Sequence, residues 1–213
     1  MRTPRRFARM VRSAPGVSPA IADAMIATPR ADFVRWRYRL RAYADRSLPT
    51  GENTTISQPT YIARVLSAAS VGPGDRVLEV GCGSGWTAAI LSRVAREVVT
   101  VDRVAELVER ARARLAGLPN VTILHGDGAH AADGTFDVIF VMAGAPAIPA
   151  VCTERLREGG RLIIPVGRLR DRPHACMHGH VTRVTRCGGD LIEEPLFEGD
   201  WNVLGGRDGF GDH

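Results

Sequence analysis

Val77-Leu78-Glu79-Val80-Gly81-Cys82-Gly83-Ser84-Gly85-Trp86 is the stretch whose reading decides the fold. Residues 76–80 form a short, mostly apolar run between Gly74-Asp75 and Gly81, the pattern of a buried strand. Past the glycines, Trp86, Ala89, Ile90 and Val94 recur at helical spacing, which predicts a helix over residues 86–95. The glycines therefore sit in a strand-to-helix turn, where backbone N–H groups and a helix start can face a ligand. Three glycines in alternation let the backbone come close to that ligand with no Cβ in the way. A glycine turn alone is compatible with a tight loop in any α/β domain. The dinucleotide fingerprint is disfavoured, because its third glycine falls where this chain has the bulky Trp86.

Working outward, residues 98–102 (Val98-Val99-Thr100-Val101-Asp102) read as a second strand ending in an acid. That acid lies about 20 residues past the first glycine, where a carboxylate can grip a ribose hydroxyl pair. A third strand, residues 121–124, leads to Gly126-Asp127-Gly128, an acid placed to accept from an adenine amino group. Glu79, Gly81, Gly83, Ser84, Gly85, Asp102, Arg103, Gly126, Asp127 and Gly128, in this order, resemble the S-adenosylmethionine (SAM) site of class I methyltransferases. The fold expected is α/β, Rossmann-like and doubly wound, with a mostly parallel sheet and an N-terminal helical extension.

The composition sets the bounds. A chain of 213 residues is long enough for one domain with a sizeable core, and 45% hydrophobic with 24% charged residues is ordinary for a soluble globular protein. No apolar run is long enough to cross a membrane, and the Arg-rich N-terminus lacks an apolar signal core, so a cytoplasmic location is expected. The four cysteines form no CxxC pair and read as free thiols. All 28 basic residues are arginine, and the net charge of +5 suits acidic partners without identifying nucleic acid. The arginines among the aromatics of residues 33–43 read as a solvated face and no Asn/Asp-Pro-Pro-Tyr/Phe-type motif is present, so neither nucleic acid nor membrane is expected as a partner. The chain is taken as a monomer.

Three segments are expected: residues 1–57, helical and carrying a substrate loop; residues 58–197, the SAM-binding core; and residues 198–213, a glycine-rich tail or lid. Arg5, Arg6, Arg9 and Arg12 line a short basic helix, and Ser18 can cap the next one, to about Ile26. Residues 33–43 read as helical and residues 45–55 as a loop. Pro59 opens a helix over residues 61–69. The core continues with a helix at 104–115, an apolar strand at 136–141, a helix at 149–157 and a strand at 161–166. Two weaker strands follow at 175–184 and 191–196. His174, Cys176, His178 and His180 alternate, with Cys187 nearby. These are zinc-ligand types, but one straight strand places ligands badly for a tetrahedron, so the stripe reads as a polar solvent face and no metal is expected.

Several blocks together resemble one family in particular, the protein-L-isoaspartate O-methyltransferases, over about residues 20–170. They are Met25-Ile-Ala-Thr-Pro-Arg-Ala-Asp-Phe-Val34, Leu48-Pro49 followed by Thr55-Ile56-Ser57-Gln58-Pro59, Gly126-Asp127-Gly128, Ala145-Pro-Ala-Ile-Pro149 and Gly159-Gly-Arg-Leu-Ile-Ile-Pro-Val-Gly167. The resemblance implies methylation of the α-carboxylate of L-isoaspartyl residues in a protein or peptide substrate, with SAM as cofactor. It gives Ser57 the role of orienting the substrate carboxylate, and Thr55 and Ile56 the shaping of the same loop. A carboxylate is already ionised at neutral pH, so the reaction needs alignment more than a base. On the residues alone, Ser57-Gln58-Pro59 is equally well a plain helix cap. The chain departs from the family at Gly51-Glu-Asn-Thr54 and after Phe197, both where substrate would sit. Three other readings stay open: a relative that esterifies aspartates of a ribosomally made peptide to drive aspartimide formation, a small-molecule carboxyl methyltransferase, and an inactive SAM-binding regulatory protein.

Overall fold

The computed structural model describes residues 4–51, 54–170 and 176–210. Its centre is a seven-stranded sheet in the order β5-β4-β3-β6-β7-β8-β9. The strands are β3 (Arg76–Val80), β4 (Glu97–Asp102), β5 (Val121–His125), β6 (Phe136–Val141), β7 (Leu156–Leu169), β8 (Cys176–Cys187) and β9 (Asp190–Asn202). The first five are parallel, and β8 and β9 add to the edge as antiparallel hairpins. This is the mostly parallel α/β sheet expected. β3 and β6 are nearly continuous apolar runs because both of their faces are covered.

The chain leaves β3 toward β4 and β5 and later returns to the other side of β3 as β6. The crevice at that reversal, outside the carboxyl ends of the strands, is where open α/β sheets bind ligands. Helices α3 (Pro59–Ser67), α4 (Trp86–Leu91), α5 (Ala105–Leu115) and α6 (Ala150–Glu154) flank the sheet. α4 and α6 are shorter than the periodicity predicts, each ending within about two turns. The N-terminal helices α1 (Pro4–Arg12) and α2 (Pro19–Ile26) belong to the same hydrophobic cluster as β3, α3 and α4, through Phe7, Val11, Ile21 and Met25. Packing is therefore continuous across residue 57. Ser18 caps α2 as expected, its Oγ accepting from the Ile21 N–H at 3.3 Å.

Three expectations are corrected. Residues 33–43 form no α-helix; they follow a 3-10 turn at Arg30–Asp32 and include a second at Trp36–Arg41. Residues 45–55 are not a plain loop, because β1 (Leu48–Gly51) pairs antiparallel with β2 (Thr54–Ile56). Leu48 and Ile56 face each other and are buried, and the Thr50 and Thr54 hydroxyls meet at 2.6 Å. With just two inward apolar residues and a Pro, the stretch shows too little alternation to read as strand. Nor does residue 198 begin a tail. β9 runs through it to Asn202, and Trp201 is 4% exposed, packed on Tyr61 at 4.7 Å between ring centres.

The alternating stripe on β8 has a local explanation. Cross-strand pairing puts His178 opposite Asp200 and His180 opposite Glu198, with ring-nitrogen-to-carboxylate distances of 2.9 and 3.3 Å. These are exposed cross-strand pairs. His174 lies outside the described residues.

Candidate functional site

The turn after β3 is built from left-handed glycines: Gly81, Gly83 and Gly85 have φ of 96°, 51° and 81°. An L side chain is strained at each of these positions. The Gly81 and Cys82 amides donate to the Val101 carbonyl, and the Gly85 amide donates to the Cys82 carbonyl. This seats the turn on the end of β4. Ser84 is buried within it, its Oγ accepting from the Trp86 N–H and its carbonyl accepting from Arg114. A Cβ placed on Gly83 would meet nothing within 4 Å, so this part of the backbone faces open space.

Asp102 ties the neighbouring strand ends together. One carboxylate oxygen accepts from the Gly83 N–H at 2.9 Å and the other from the Val104 N–H at 3.0 Å. Its carbonyl accepts from the Gly126 N–H, which draws in the turn after β5. Arg103 is exposed beside it and packs against Gly205, while its carbonyl takes the His125 ring nitrogen at 3.2 Å. Gly128, at φ of 53°, turns the chain behind Asp127. The residues expected at a cofactor therefore converge on one edge of the sheet, at the ends of three adjacent parallel strands.

Glu79 lies beneath this edge and is fully buried. One of its oxygens accepts from the Thr100 hydroxyl at 2.6 Å, and the other has no hydrogen-bond partner among the described residues. Burial pushes its carboxyl up to about 8; the nearby Asp102 raises it further, and the Thr100 hydrogen bond opposes the shift. A cation placed at the glycine turn would draw this carboxyl into its ionised form and pair with the open oxygen. SAM, with its sulfonium and amino groups, supplies such a cation.

Ser57 stands where β2 gives way to α3. The helix cap is made by other residues: Gln58 occupies the cap position, and the Thr60 N–H donates to Asp45 Oδ1 at 3.0 Å. The Ser57 hydroxyl has no hydrogen-bond partner among the described residues. Ile56 is buried beneath it, and Thr55 is exposed.

What the sequence does not reveal is how Ser57 is held. Arg30 is fully buried, and its guanidinium donates to the carbonyls of Ala42, Ala44, Arg46, Ile56 and Ser57 at 2.7–3.4 Å. Its Cζ lies 5.4 Å from the centre of the Trp86 ring, and the Trp86 indole N–H donates to the Thr28 carbonyl. Burial pushes the Arg30 pKa down to about 10, partly offset by Asp45, and leaves it cationic at neutral pH. One cation thus links the Ser57 segment to the first residue of α4, next to the glycine turn. The one signal for it is an arginine in an otherwise apolar block, Thr28-Pro29-Arg30-Ala31.

The comparisons with known proteins agree with one another. The family profile for protein-L-isoaspartate(D-aspartate) O-methyltransferase matches residues 8–180. A protein-L-isoaspartate O-methyltransferase of Koribacter versatilis is 46% identical over 151 residues, covering 69% of this chain and 68% of its own. One from Pyrococcus horikoshii is 43% identical over 155 residues, 70% of each. A solved protein-L-isoaspartate O-methyltransferase superposes with a TM-score of 0.83 at 27% identity, over 97% of this chain and 67% of that one. A Plasmodium falciparum homologue, solved with S-adenosyl-L-homocysteine, superposes at 0.81 with 21% identity, over 96% and 99% of the two chains, a likeness of fold.

Proposed function

This chain belongs to the protein-L-isoaspartate(D-aspartate) O-methyltransferase family, and on that premise we propose that it methylates the carboxylate of L-isoaspartyl residues in proteins or peptides, using SAM. The observation that carries the reading is the free Ser57 hydroxyl on a segment pinned by Arg30 to the start of the helix that follows the glycine turn. SAM supplies an electrophilic methyl group on a positively charged sulfur. The chain supplies placement. Glu79, the turn from Gly81 to Gly85, Asp102 and Arg103, and Gly126-Asp127-Gly128 hold the cofactor. Ser57 donates to one oxygen of the incoming carboxylate and leaves the other directed at the methyl group. Thr55 and Ile56 shape the approach.

The nucleophile arrives ionised, so no side chain has to remove a proton. Such a site accelerates by alignment and by excluding water, and errors of about 1 Å in placement are costly. That need for placement accounts for a buried cation that ties the Ile56 and Ser57 carbonyls to those of Ala42, Ala44 and Arg46. The methyl ester then leaves a carbonyl open to attack by the next backbone amide, the route to a succinimide and to repair. Among the described residues no helix is long and apolar enough to cross a membrane, and the four cysteines are free thiols, which suits a reducing compartment such as the cytoplasm.

The test offers purified protein, with methyl-labelled SAM, two short peptides that differ in one linkage, aspartyl or isoaspartyl. Label in the isoaspartyl peptide alone is the expected result. Label in the aspartyl peptide, or in neither, overturns the reading. Ser57→Ala should lower kcat on the isoaspartyl peptide by roughly 10- to 100-fold, the worth of one positioning hydrogen bond, with S-adenosylhomocysteine affinity unchanged. A loss of stability without a kinetic effect would return Ser57 to a structural role.

A further inference from the structure

The two most exposed large apolar side chains among the described residues are near neighbours in sequence, Trp36 at 84% and Leu40 at 75%. Both stand on the 3-10 turn Trp36–Arg41. A solvated tryptophan is unusual in a protein whose other two are 1% and 4% exposed, and the residue type is enriched where proteins bind partners. The turn is not loosely attached. Phe33 and Val34 before it and Ala42 after it are buried, and Arg30 holds the Ala42 carbonyl.

The surroundings are basic. Arg35, Arg37 and Arg41 are exposed, and none has an acidic partner among the described residues. Arg39 is matched by Asp32 at 3.1 Å, and Asp45 is engaged by Thr60 and Gln58. Arg35 also reaches the hairpin: its guanidinium comes within 3.4 Å of where a Cβ on Gly51 would lie. β2 of that hairpin runs directly into Ser57. The patch is therefore continuous with the segment that receives the substrate carboxylate.

We propose that Trp36, Leu40, Arg35, Arg37 and Arg41 form a docking platform for the polypeptide substrate, selecting isoaspartyl sites set in acidic sequence with an apolar residue close by. The proposal rests on the reading of Ser57 as the substrate-orienting residue. Charge complementarity names the partner: exposed arginines with no acidic partner among the described residues attract carboxylates, and the apolar pair gives a flanking Leu or Phe a surface to cover. Such contacts lie away from the reacting atoms, so they act on KM and on choice of substrate.

Trp36 makes the idea directly measurable, since the other two tryptophans are shielded. Two isoaspartyl peptides of equal length are titrated into the protein, one flanked by Asp, Glu and Leu, the other by Asn, Gln and Ser. The acidic peptide should shift tryptophan emission to the blue and protect it from acrylamide. It should bind about tenfold more tightly at low salt, the sum of a few exposed charge pairs, with the preference fading at about 0.5 M salt. Trp36→Phe should remove the signal, and the triple variant Arg35→Gln, Arg37→Gln, Arg41→Gln should erase both the affinity difference and the difference in KM. Equal affinity for the two peptides, or a preference that survives the triple variant, overturns the platform. So does stronger shielding of Trp36 by a single-stranded RNA oligonucleotide, or by raising the concentration of the protein alone. Equal methylation of both peptides would sink the platform and leave the methyltransferase reading intact. Binding of the acidic peptide at Trp36 without methylation would do the reverse.

Discussion

Asp102 performs two tasks with one carboxylate. It holds the glycine turn and the start of α5 by accepting from the Gly83 and Val104 amides, and each of its oxygens keeps a further lone pair, which the proposed site offers to a ribose. Asp102→Ala should therefore weaken S-adenosylhomocysteine binding by about 1.5–3 kcal/mol, read by calorimetry. Asp102→Asn, which keeps one acceptor oxygen, should lose less. An unaltered affinity in the alanine variant would place the ribose elsewhere. Glu79 makes a different demand, through pH. Its carboxyl sits at about 8 in the fold against 4.5 for an ordinary glutamate, so between those values the folded state keeps a proton that the unfolded chain releases. Stability from this group is complete below about pH 4.5 and drains away as pH rises toward 8, with a slope of up to about 1.4 kcal/mol per pH unit. Glu79→Gln should flatten the fall of Tm between pH 5 and 8. An identical pH profile in the variant would mean that the wild-type carboxyl is ionised throughout.

At the scale of elements, the hairpin β1–β2 and its link to α4 depend on Arg30. Removing that guanidinium takes the Arg30 donor from five buried or part-buried carbonyls. Arg30→Ala should cost about 3 kcal/mol or more in chemical denaturation. Arg30→Lys, which keeps the charge but not the planar fork, should fold and raise KM for the isoaspartyl peptide more than it weakens S-adenosylhomocysteine binding. Equal loss on both sides would make Arg30 a general support of the fold. This linkage also marks how far the sequence could be read. The strand–turn–helix around Gly81–Gly85 and the strands that end in Asp102 and before Gly126 were legible, because their signals are local: apolar runs, glycines, an acid at a fixed spacing. The Ser18 cap was legible for the same reason. Asp45 capping α3 from 15 residues away was not, nor was Arg30 collecting carbonyls from residues 42 to 57. Those contacts exist only once the chain has folded, and no periodicity announces them.

Over the whole molecule, the two ends of the chain close on the site from different sides. The N-terminal helices join the core cluster that carries Trp86 and supports the substrate segment. The C-terminal residues 203–210 fold over the segments that follow β4, β5 and β6. Val203 bridges to Gly144, the Leu204 amide donates to the Gly144 carbonyl, and Asp208 meets His130 at 2.9 Å. The glycines there suggest flexibility on paper. In the fold they permit close approach instead: Gly205 lies on Arg103 and Gly206 on the Asp127 carboxylate, where a side chain would collide. The Arg207 amide donates to Asp127 Oδ2 at 3.1 Å. An adenine amino group bound at Asp127 must share that carboxylate with the strap or displace it. Gly206→Val tests which, since it puts a branched side chain at φ of 88° against Asp127 and should lift the strap. S-adenosylhomocysteine should then associate faster in stopped-flow fluorescence, by up to about tenfold, the worth of one amide–carboxylate bond of about 1.4 kcal/mol. Dissociation should quicken as well, because the bound cofactor loses its cover. Thermal unfolding close to that of the unmodified protein would show that the sheet beneath is intact. Unchanged rate constants in a folded variant would mean that the strap stands clear of the cofactor, and that Asp127 serves the C-terminal segment rather than the adenine.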